Sequence, residues 1–477
     1  MNVEKVINKL KLLTDISIKD GRYDIAISAT KSLAEIYYGY NQIYTDIELE
    51  EKLILIRESI LSKNLYDVDE DCVFFYDGFG LDLRGLAVVY ARALASINCR
   101  VIYACPDTMK GKIPHIISEF DMAKTQIIYI NKSTENIERI KQIDSIFAEY
   151  KPKSAFFYTT PWDVEGAVAF SNNSSTTRYQ LDLTDHAYWI GLNAFDFIIN
   201  GREIGASIAH YERGISKERL IKLDCSPYIN RDICEKELPF DIRTTRYVFT
   251  GGALYKTLGD KELLYYKTID NILQNFSDIC FIYAGSGDDS EIKKIISKYP
   301  SRAYLIDERP DFYELIKHCI LYINSYPMFG GLMMRYAAMA RKIPITLKHD
   351  NDADGILINQ EQLGIEFENY DEYIHEIHKL LSNDNYRSKK EDMVISSVMT
   401  EDDFARNLKL LIYENRTEYS FDKIERFDTT EFRNEYKKRY TKEQLYKAIA
   451  KKSNIRLMRF FPKEFVFGVL NKIKERF

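Results

Sequence analysis

Twice along this chain, short β-rich runs alternate with amphipathic stretches that read as helices. The first set holds Cys72-Val-Phe-Phe-Tyr, Arg100-Val-Ile-Tyr-Ala-Cys, Thr125-Gln-Ile-Ile-Tyr-Ile, Ser154-Ala-Phe-Phe-Tyr-Thr, Tyr179-Gln-Leu-Asp-Leu and Phe197-Ile-Ile-Asn. After Pro239 the alternation restarts, with Tyr247-Val-Phe-Thr, Ile279-Cys-Phe-Ile-Tyr, Ala303-Tyr-Leu-Ile, Ile320-Leu-Tyr-Ile and Pro344-Ile-Thr-Leu. Strands separated by helices imply a parallel sheet wrapped on both faces. Two tandem sets predict an α/β protein of two Rossmann-like domains facing a cleft, with a linker near 236–246. The expected domains are 70–240 and 246–415. Ligands in such sheets sit beyond the carboxyl ends of the strands, so the loops there are the places to search.

The flanks read differently. Residues 1–65 carry apolar residues at spacings of three and four (Val3, Val6, Ile7, Leu10, then Ile25, Leu33, Ile36), which predicts a helical extension. Residues 420–477 form a basic helical tail; from 434 on it holds thirteen Lys/Arg against four Asp/Glu. Its aromatic and basic residues suit either an anionic membrane surface or packing back onto the first domain. The net charge of −6 argues against a nucleic-acid partner. Seven cysteines without a CxxC pair read as buried thiols in a reducing, cytoplasmic setting. No apolar run reaches the length of a membrane span.

Five segments carry candidate chemistry. Asp77-Gly-Phe-Gly-Leu-Asp-Leu-Arg-Gly brings Gly78, Gly80 and Gly85 to the first strand's end, where backbone can approach a ligand closely. Its spacing is not GxGxxG, so no dinucleotide site follows. Asp185-His186 follows the fifth strand and is read as preceding a helix; His186 is a candidate general base, and Asp185 either its orienting carboxylate or a helix cap. Gly251, Gly252 and Lys256 suit a phosphate approach at the start of the second set. Gly285 and Gly287 end the next strand. The fifth segment runs from Asn324 through a Pro-containing loop to Gly330-Gly331 and a helix of small residues, which makes an anion seat for a diphosphate. Asp352-Ala-Asp354 has carboxylate spacing but follows the last strands and reads equally as a solvated loop, so no metal is expected.

Gly330-Gly331 through Ala337-Ala-Met-Ala-Arg-Lys-Ile-Pro resembles the donor-nucleotide segment of GT-B glycosyltransferases. Asp185-His-Ala-Tyr-Trp-Ile-Gly and the segment from Arg213 resemble portions of bacterial polysaccharide and protein glycosyltransferases. The resemblance covers roughly residues 72–415. It implies transfer of a sugar from a nucleotide sugar of the UDP class, without a metal or cofactor, to a hydroxyl on a glycan, lipid-linked or protein acceptor. It implies a donor set of Gly251, Gly252, Lys256, Gly285, Arg309, Phe329, Gly330, Gly331 and Leu332, an acceptor set of Gly80, Arg84 and Asp185, and His186 as the catalytic residue: the base if the reaction inverts, a contact to the donor sugar if it retains. The chain departs from the family where the ribose-binding acid falls at Ala337 and a second acid falls near Phe329. Two alternatives stay open: a sugar epimerase of the same architecture, and a non-catalytic partner of an active transferase.

Overall fold

The computed structural model describes residues 3–82, 85–230, 237–238, 240–348, 355–421 and 423–474, with residues 452–453 and 469–474 described by backbone alone. The chain forms two compact units, Met1–Asp224 with Asp402–Phe477, and Cys225–Glu401.

Unit 1 is built on a seven-stranded sheet: β1 (Asp69–Asp77), β2 (Arg100–Pro106), β3 (Thr125–Ile130), β4 (Pro152–Tyr158), β5 (Thr177–Leu181), β6 (Phe197–Asn200) and β7 (Leu220–Lys222). Every ladder is parallel, in the order β3-β2-β1-β4-β5-β6-β7. Val73, Phe74, Phe75 and Tyr76 are all buried. Successive residues point to opposite faces, so both faces of the sheet are covered, which is why the run reads as continuous rather than alternating. The chain works outward from β1 to β3, then crosses back to β4. The direction of winding therefore reverses between β1 and β4.

The flanking helices belong to the same core. Helices α1 (Val3–Lys19), α2 (Tyr23–Tyr40) and α3 (Ile47–Ile60) precede β1. α2 ends on Asn41 in the left-handed conformation, which Asn tolerates well, and Asp46 caps α3 by accepting the Leu49 N–H at 3.2 Å. Leu10 and Leu33 share one apolar cluster with Phe147, Val168, Leu445, Leu457 and Phe461. In the tail, Leu457, Phe461 and Phe465 are buried, while Ile455, Met458 and Val466 stay exposed. Among the tail's basic residues, Lys451 pairs with Glu35 on α2 and Arg456 with Glu135. Helix Glu401–Glu414 also joins this unit: the Phe404 ring lies 5.1 Å from that of Tyr90, and Leu411 O accepts the Tyr179 hydroxyl. Among the described residues no helix is long and apolar enough to cross a membrane.

Unit 2 repeats the plan with β8 (Tyr247–Gly251), β9 (Cys280–Ala284), β10 (Ala303–Ile306), β11 (Leu321–Ile323), β12 (Pro344–Leu347) and β13 (Glu366–Phe367). The parallel order is β10-β9-β8-β11-β12-β13, so the reversal here lies between β8 and β11. One expectation fails: no helix follows Ile190. The segment Leu192–Ala194 is a single 3-10 turn entered through Gly191 at φ 102°.

Candidate functional site

In open parallel sheets the crevice at the reversal is where a ligand fits. In unit 2 two loops meet there. β8 runs into Gly252, at φ +139°. The Gly252 N–H donates to Ala284 O at 3.0 Å and the Leu254 N–H to Ser286 O at 2.9 Å, which fastens this loop to the one after β9. A Cβ on Gly285 would sit 1.9 Å from Gly252 O, so only glycine permits that approach.

The β11 loop is organised by Asn324, which is 2% exposed. Its Oδ1 accepts the N–H groups of Ser325 (3.0 Å) and Gly330 (2.9 Å), and its Nδ2 donates to Thr346 Oγ1. The Tyr326–Pro327 peptide within the loop is cis. Gly330 precedes helix Gly331–Met339 and gives no side-chain cap, leaving first-turn N–H groups for another acceptor. Lys256 joins the two loops: its Nζ donates to Phe329 O at 3.4 Å, and its carbonyl accepts the Met328 N–H at 3.1 Å. Gly251 lies under the first helical turn, where a Cβ would come 2.7 Å from Met333 Cε. Gly251, Gly252, Lys256, Gly285, Phe329, Gly330 and Gly331 are thus gathered at one end of one sheet, and Leu332 beside them is 55% exposed.

Arg309 is not gathered with them. Its guanidinium forms a two-pronged pair with Asp311 at 2.6 Å, and both side chains are buried. Ala337 is fully buried in an apolar cluster with Phe249 and Tyr322, so that position offers no place for a ribose-binding acid. A carboxylate does reach the neighbouring loop: Glu308 accepts the Ser286 hydroxyl at 3.0 Å. Asp352 and Asp354 lie outside the described residues, among which no group of three His, Cys, Asp or Glu is arranged to hold a metal.

In unit 1 the candidate base lies beyond β5. Asp185, 6% exposed, takes two hydrogen bonds from Arg202 at 2.6 and 2.7 Å, and its Oδ1 lies 3.3 Å from His186 Nδ1. Burial would raise the Asp185 pKa, but Arg202 and His186 outweigh it and hold the carboxylate far below its usual range. Asp185 therefore orients the imidazole and caps no helix. The histidine backbone is fixed as firmly. Arg213, fully buried, donates to Asp185 O at 3.1 Å and Ala187 O at 2.5 Å, while Asn41 donates to His186 O at 2.9 Å. Arg213 sits between the Tyr44 and Trp189 rings, with Asp182 at 3.7 Å. The His186 side chain is 29% exposed. Nδ1 is the ring nitrogen that faces the Asp185 carboxylate, which leaves Nε2 as the other ring nitrogen.

Arg202, Asn41 and Glu50 are missed by sequence reasoning, and Arg213 enters it only as the start of a resembling segment, with no role assigned. Glu50, on α3, accepts the Gly191 N–H at 2.9 Å, with the Leu192 and Asn193 N–H groups also turned toward it. Complete burial pushes its carboxyl up to about 7 despite those bonds.

The three glycines after β1 have steric causes. Gly80 stands at φ +63° in a turn whose N–H groups, from Phe79 and Gly80, bond Asp77 Oδ1; a Cβ there would come 2.3 Å from Met109 Cγ. Cβ atoms on Gly78 and Gly85 would meet Thr159 Oγ1 at 1.8 Å and Tyr158 OH at 2.2 Å. β4 separates β1 from β5, so the loops that hold Gly80 and His186 leave the sheet two strands apart. Arg84 lies outside the described residues.

No family model matches the chain, and no curated protein matches it in sequence. Solved structures match its fold. A glycosyltransferase from Rickettsia africae superposes with a TM-score of 0.53 at 12% identity, over 72% of this chain and 99% of that one. A protein assigned as UDP-N-acetylglucosamine 2-epimerase from Listeria monocytogenes gives 0.52 at 11%, over 74% and 99%. A further UDP-N-acetylglucosamine 2-epimerase gives 0.52 at 12%, over 75% and 99%. At such identities a likeness speaks for architecture alone. By that measure the chain is a GT-B-fold protein: two Rossmann-like α/β units with helices added at both ends.

Proposed function

We propose that this chain is a nucleotide-sugar enzyme that seats its donor diphosphate on unit 2. The observation that carries the reading is the meeting of the Gly252 and Gly330-Gly331 loops at the β8/β11 reversal, joined by Lys256. Backbone N–H groups at the start of helix Gly331–Met339 and the Lys256 charge together favour a diphosphate. Glu308 is the carboxylate proposed for a ribose hydroxyl. In unit 1, His186 oriented by Asp185 and Arg202 favours glycosyl transfer, with Nε2 taking the proton of an acceptor hydroxyl. Epimerisation of the bound sugar is the second reading, supported by the two epimerase structures that share the fold. Acceptor capture at an anionic membrane surface belongs to the proposal through exposed Ile455, Met458 and Val466 beside Arg459 and Lys463.

The deciding experiment incubates the protein with a panel of UDP-sugars. Release of UDP that depends on added acceptor supports transfer; a new UDP-sugar isomer with no UDP release supports epimerisation. Lys256→Ala should weaken UDP much more than uridine. Equal weakening of both removes Lys256 from the site, and no binding of any nucleotide sugar removes the proposal.

A further inference from the structure

The tail passes the His186 loop before it reaches its buried end. Helix Thr430–Arg439 carries Arg433 and Tyr436, and Tyr440 is its C-cap; spacings of three and four put all three on one face. That face is pinned at both ends to unit 1. At one end Arg433 pairs with Glu212, the C-cap of helix Glu203–Tyr211; its guanidinium lies 5.2 Å from the Tyr44 ring, and its carbonyl accepts Gln42 Nε2 at 2.8 Å. At the other end Tyr440 is buried, with its ring 5.6 Å from that of Tyr40, and a Cβ on Gly39 would come 2.7 Å from Tyr440 Cε2. The ground for this helix is the end of α2. Lys31 and Glu35 of α2 help to wall a cavity at the β1/β4 reversal, Tyr38 meets Trp162 edge-on at 5.3 Å, and Asn41 holds His186 O.

Tyr436 stands between these pins, beside His186. The two ring centroids are 6.1 Å apart and the ring planes meet at 34°. The imidazole needs such a neighbour. Arg213 and Asn41 fix the backbone of its loop, but bonds to carbonyls leave the side-chain torsions free. Its Nδ1 lies 3.3 Å from Asp185 Oδ1, beyond the ordinary hydrogen-bond range of about 2.7–3.2 Å. That contact alone does not choose one orientation of the ring. An aromatic ring beside it does, because rotation toward Tyr436 brings the two into collision. Tyr436 acts here as a ring and exchanges no proton: burial first, then Tyr38 and Tyr44 beside it, push its hydroxyl above its ordinary value of 10 and keep it a neutral phenol.

We infer that Tyr436 is a positioning residue for His186: the docked helix Thr430–Arg439 sets an aromatic wall beside the imidazole, and that wall together with Asp185 holds the ring in one orientation. This role rests on the reading of His186 as the catalytic residue. Backbone and ring are set by the same docking. The Tyr44 ring has Arg433 at 5.2 Å and Arg213 at 5.5 Å, so the helix that brings Tyr436 also packs on the ring that supports the clamp of the histidine loop. A base displaced by about 1 Å loses rate steeply. Nucleotide affinity should not follow, because the proposed diphosphate seat lies on unit 2.

The test uses the full-length protein with Tyr436→Ala and Tyr436→Phe, and two readouts. The first needs no substrate: diethyl pyrocarbonate labels imidazole nitrogens, and peptide mass spectrometry follows the labelling rate of His186 with His115, held by Asp82, as internal reference. Tyr436→Ala should speed the labelling of His186 several-fold and leave His115 unchanged, and Tyr436→Phe, which restores the ring, should return the rate to that of the native protein. The second is turnover of UDP-glucose and UDP-N-acetylglucosamine, with UDP affinity measured by calorimetry. Tyr436→Ala should lower kcat by about tenfold or more at unchanged UDP affinity, and Tyr436→Phe should recover it to within a few-fold. Labelling of His186 that does not respond to Tyr436→Ala overturns the inference, as does labelling that responds while kcat stays within a few-fold. A kcat that Tyr436→Phe fails to recover also overturns it, since the hydroxyl and not the ring would then matter. Should the labelling respond in a protein that turns over no nucleotide sugar, the pairing of Tyr436 with His186 stands and the reading of His186 as catalytic falls. Tyr436→Leu, which keeps helix propensity and bulk, decides in the same way if Tyr436→Ala does not fold.

Discussion

Glu50→Gln isolates the one carboxyl that the first helices bury completely beneath the histidine loop. In the folded protein its pKa is about 7, against an ordinary 4.5. The folded state therefore holds the proton more tightly than the unfolded state. Stability from this group is fully present below pH 4.5, falls as the unfolded chain ionises first, and is fully lost above pH 7. The displacement is worth about 3 kcal/mol. Glutamine keeps an oxygen to accept the Gly191 N–H and cannot ionise. Urea unfolding followed by tryptophan fluorescence is the assay, because both tryptophans, Trp162 and Trp189, lie in unit 1. Other titrating groups are common to both proteins and cancel in the difference. The variant should gain relative stability between about pH 4.5 and 7, by about 3 kcal/mol in all, and hold that gain at higher pH. A difference that stays flat over that range refutes the claim that Glu50 is protonated in the fold.

Three other perturbations address the sites. His186→Ala should lower turnover by about 100- to 10,000-fold while calorimetry finds UDP affinity unchanged; turnover kept within a few-fold makes His186 structural. Gly285→Ala places a Cβ 1.9 Å from Gly252 O and must displace that loop, so UDP affinity should drop by about tenfold or more with the unit 1 unfolding curve unmoved; unchanged affinity takes the loop out of the site. Deleting residues 451–477 removes buried Leu457, Phe461 and Phe465, each worth about 1.5–3 kcal/mol, which is comparable with a domain's whole stability of 5–15 kcal/mol. The truncated chain should fail to fold, and a soluble, folded truncation would show that these three side chains do not hold unit 1 together.

The two sheets were legible because buried parallel strands write themselves as unbroken apolar runs, as at Val73–Tyr76 and Tyr247–Phe249. The glycine loops were legible because Gly285 leaves no room for a Cβ and Gly252 stands at φ +139°, a conformation other residues rarely adopt. What pattern conceals is which surface an amphipathic helix meets. The spacing of apolar residues shows α2 to be a helix but not that Lys31 and Glu35 reach a cavity beyond β1 and β4. Partners far apart in sequence are equally hidden: Asn41 holds His186 O across 145 positions, and Arg213 clamps the carbonyls on either side from 26 and 28 positions away. Arg309 misleads for the opposite reason, since Asp311, two residues on, occupies its guanidinium.

The reversal of the strand order ties these results together. Each unit winds outward from its first strand and restarts beside it, so each leaves a crevice at the same place in its sheet. In unit 2 the crevice is rimmed by backbone: glycines bring the chain close, Asn324 turns the loop, and Lys256 adds a single cation. Such a rim suits an anion with many acceptors. In unit 1 the glycine at the matching position, Gly78, is pressed against Thr159, so the backbone is spent on packing and recognition passes to side chains. Those side chains come largely from α2 and the tail, the parts of the chain that the Rossmann-like sheet does not need. Helices recruited to wall one crevice with an aromatic ring and charged side chains give it a different lining from its twin, the asymmetry that the proposed transfer from a nucleotide sugar to a second molecule would need.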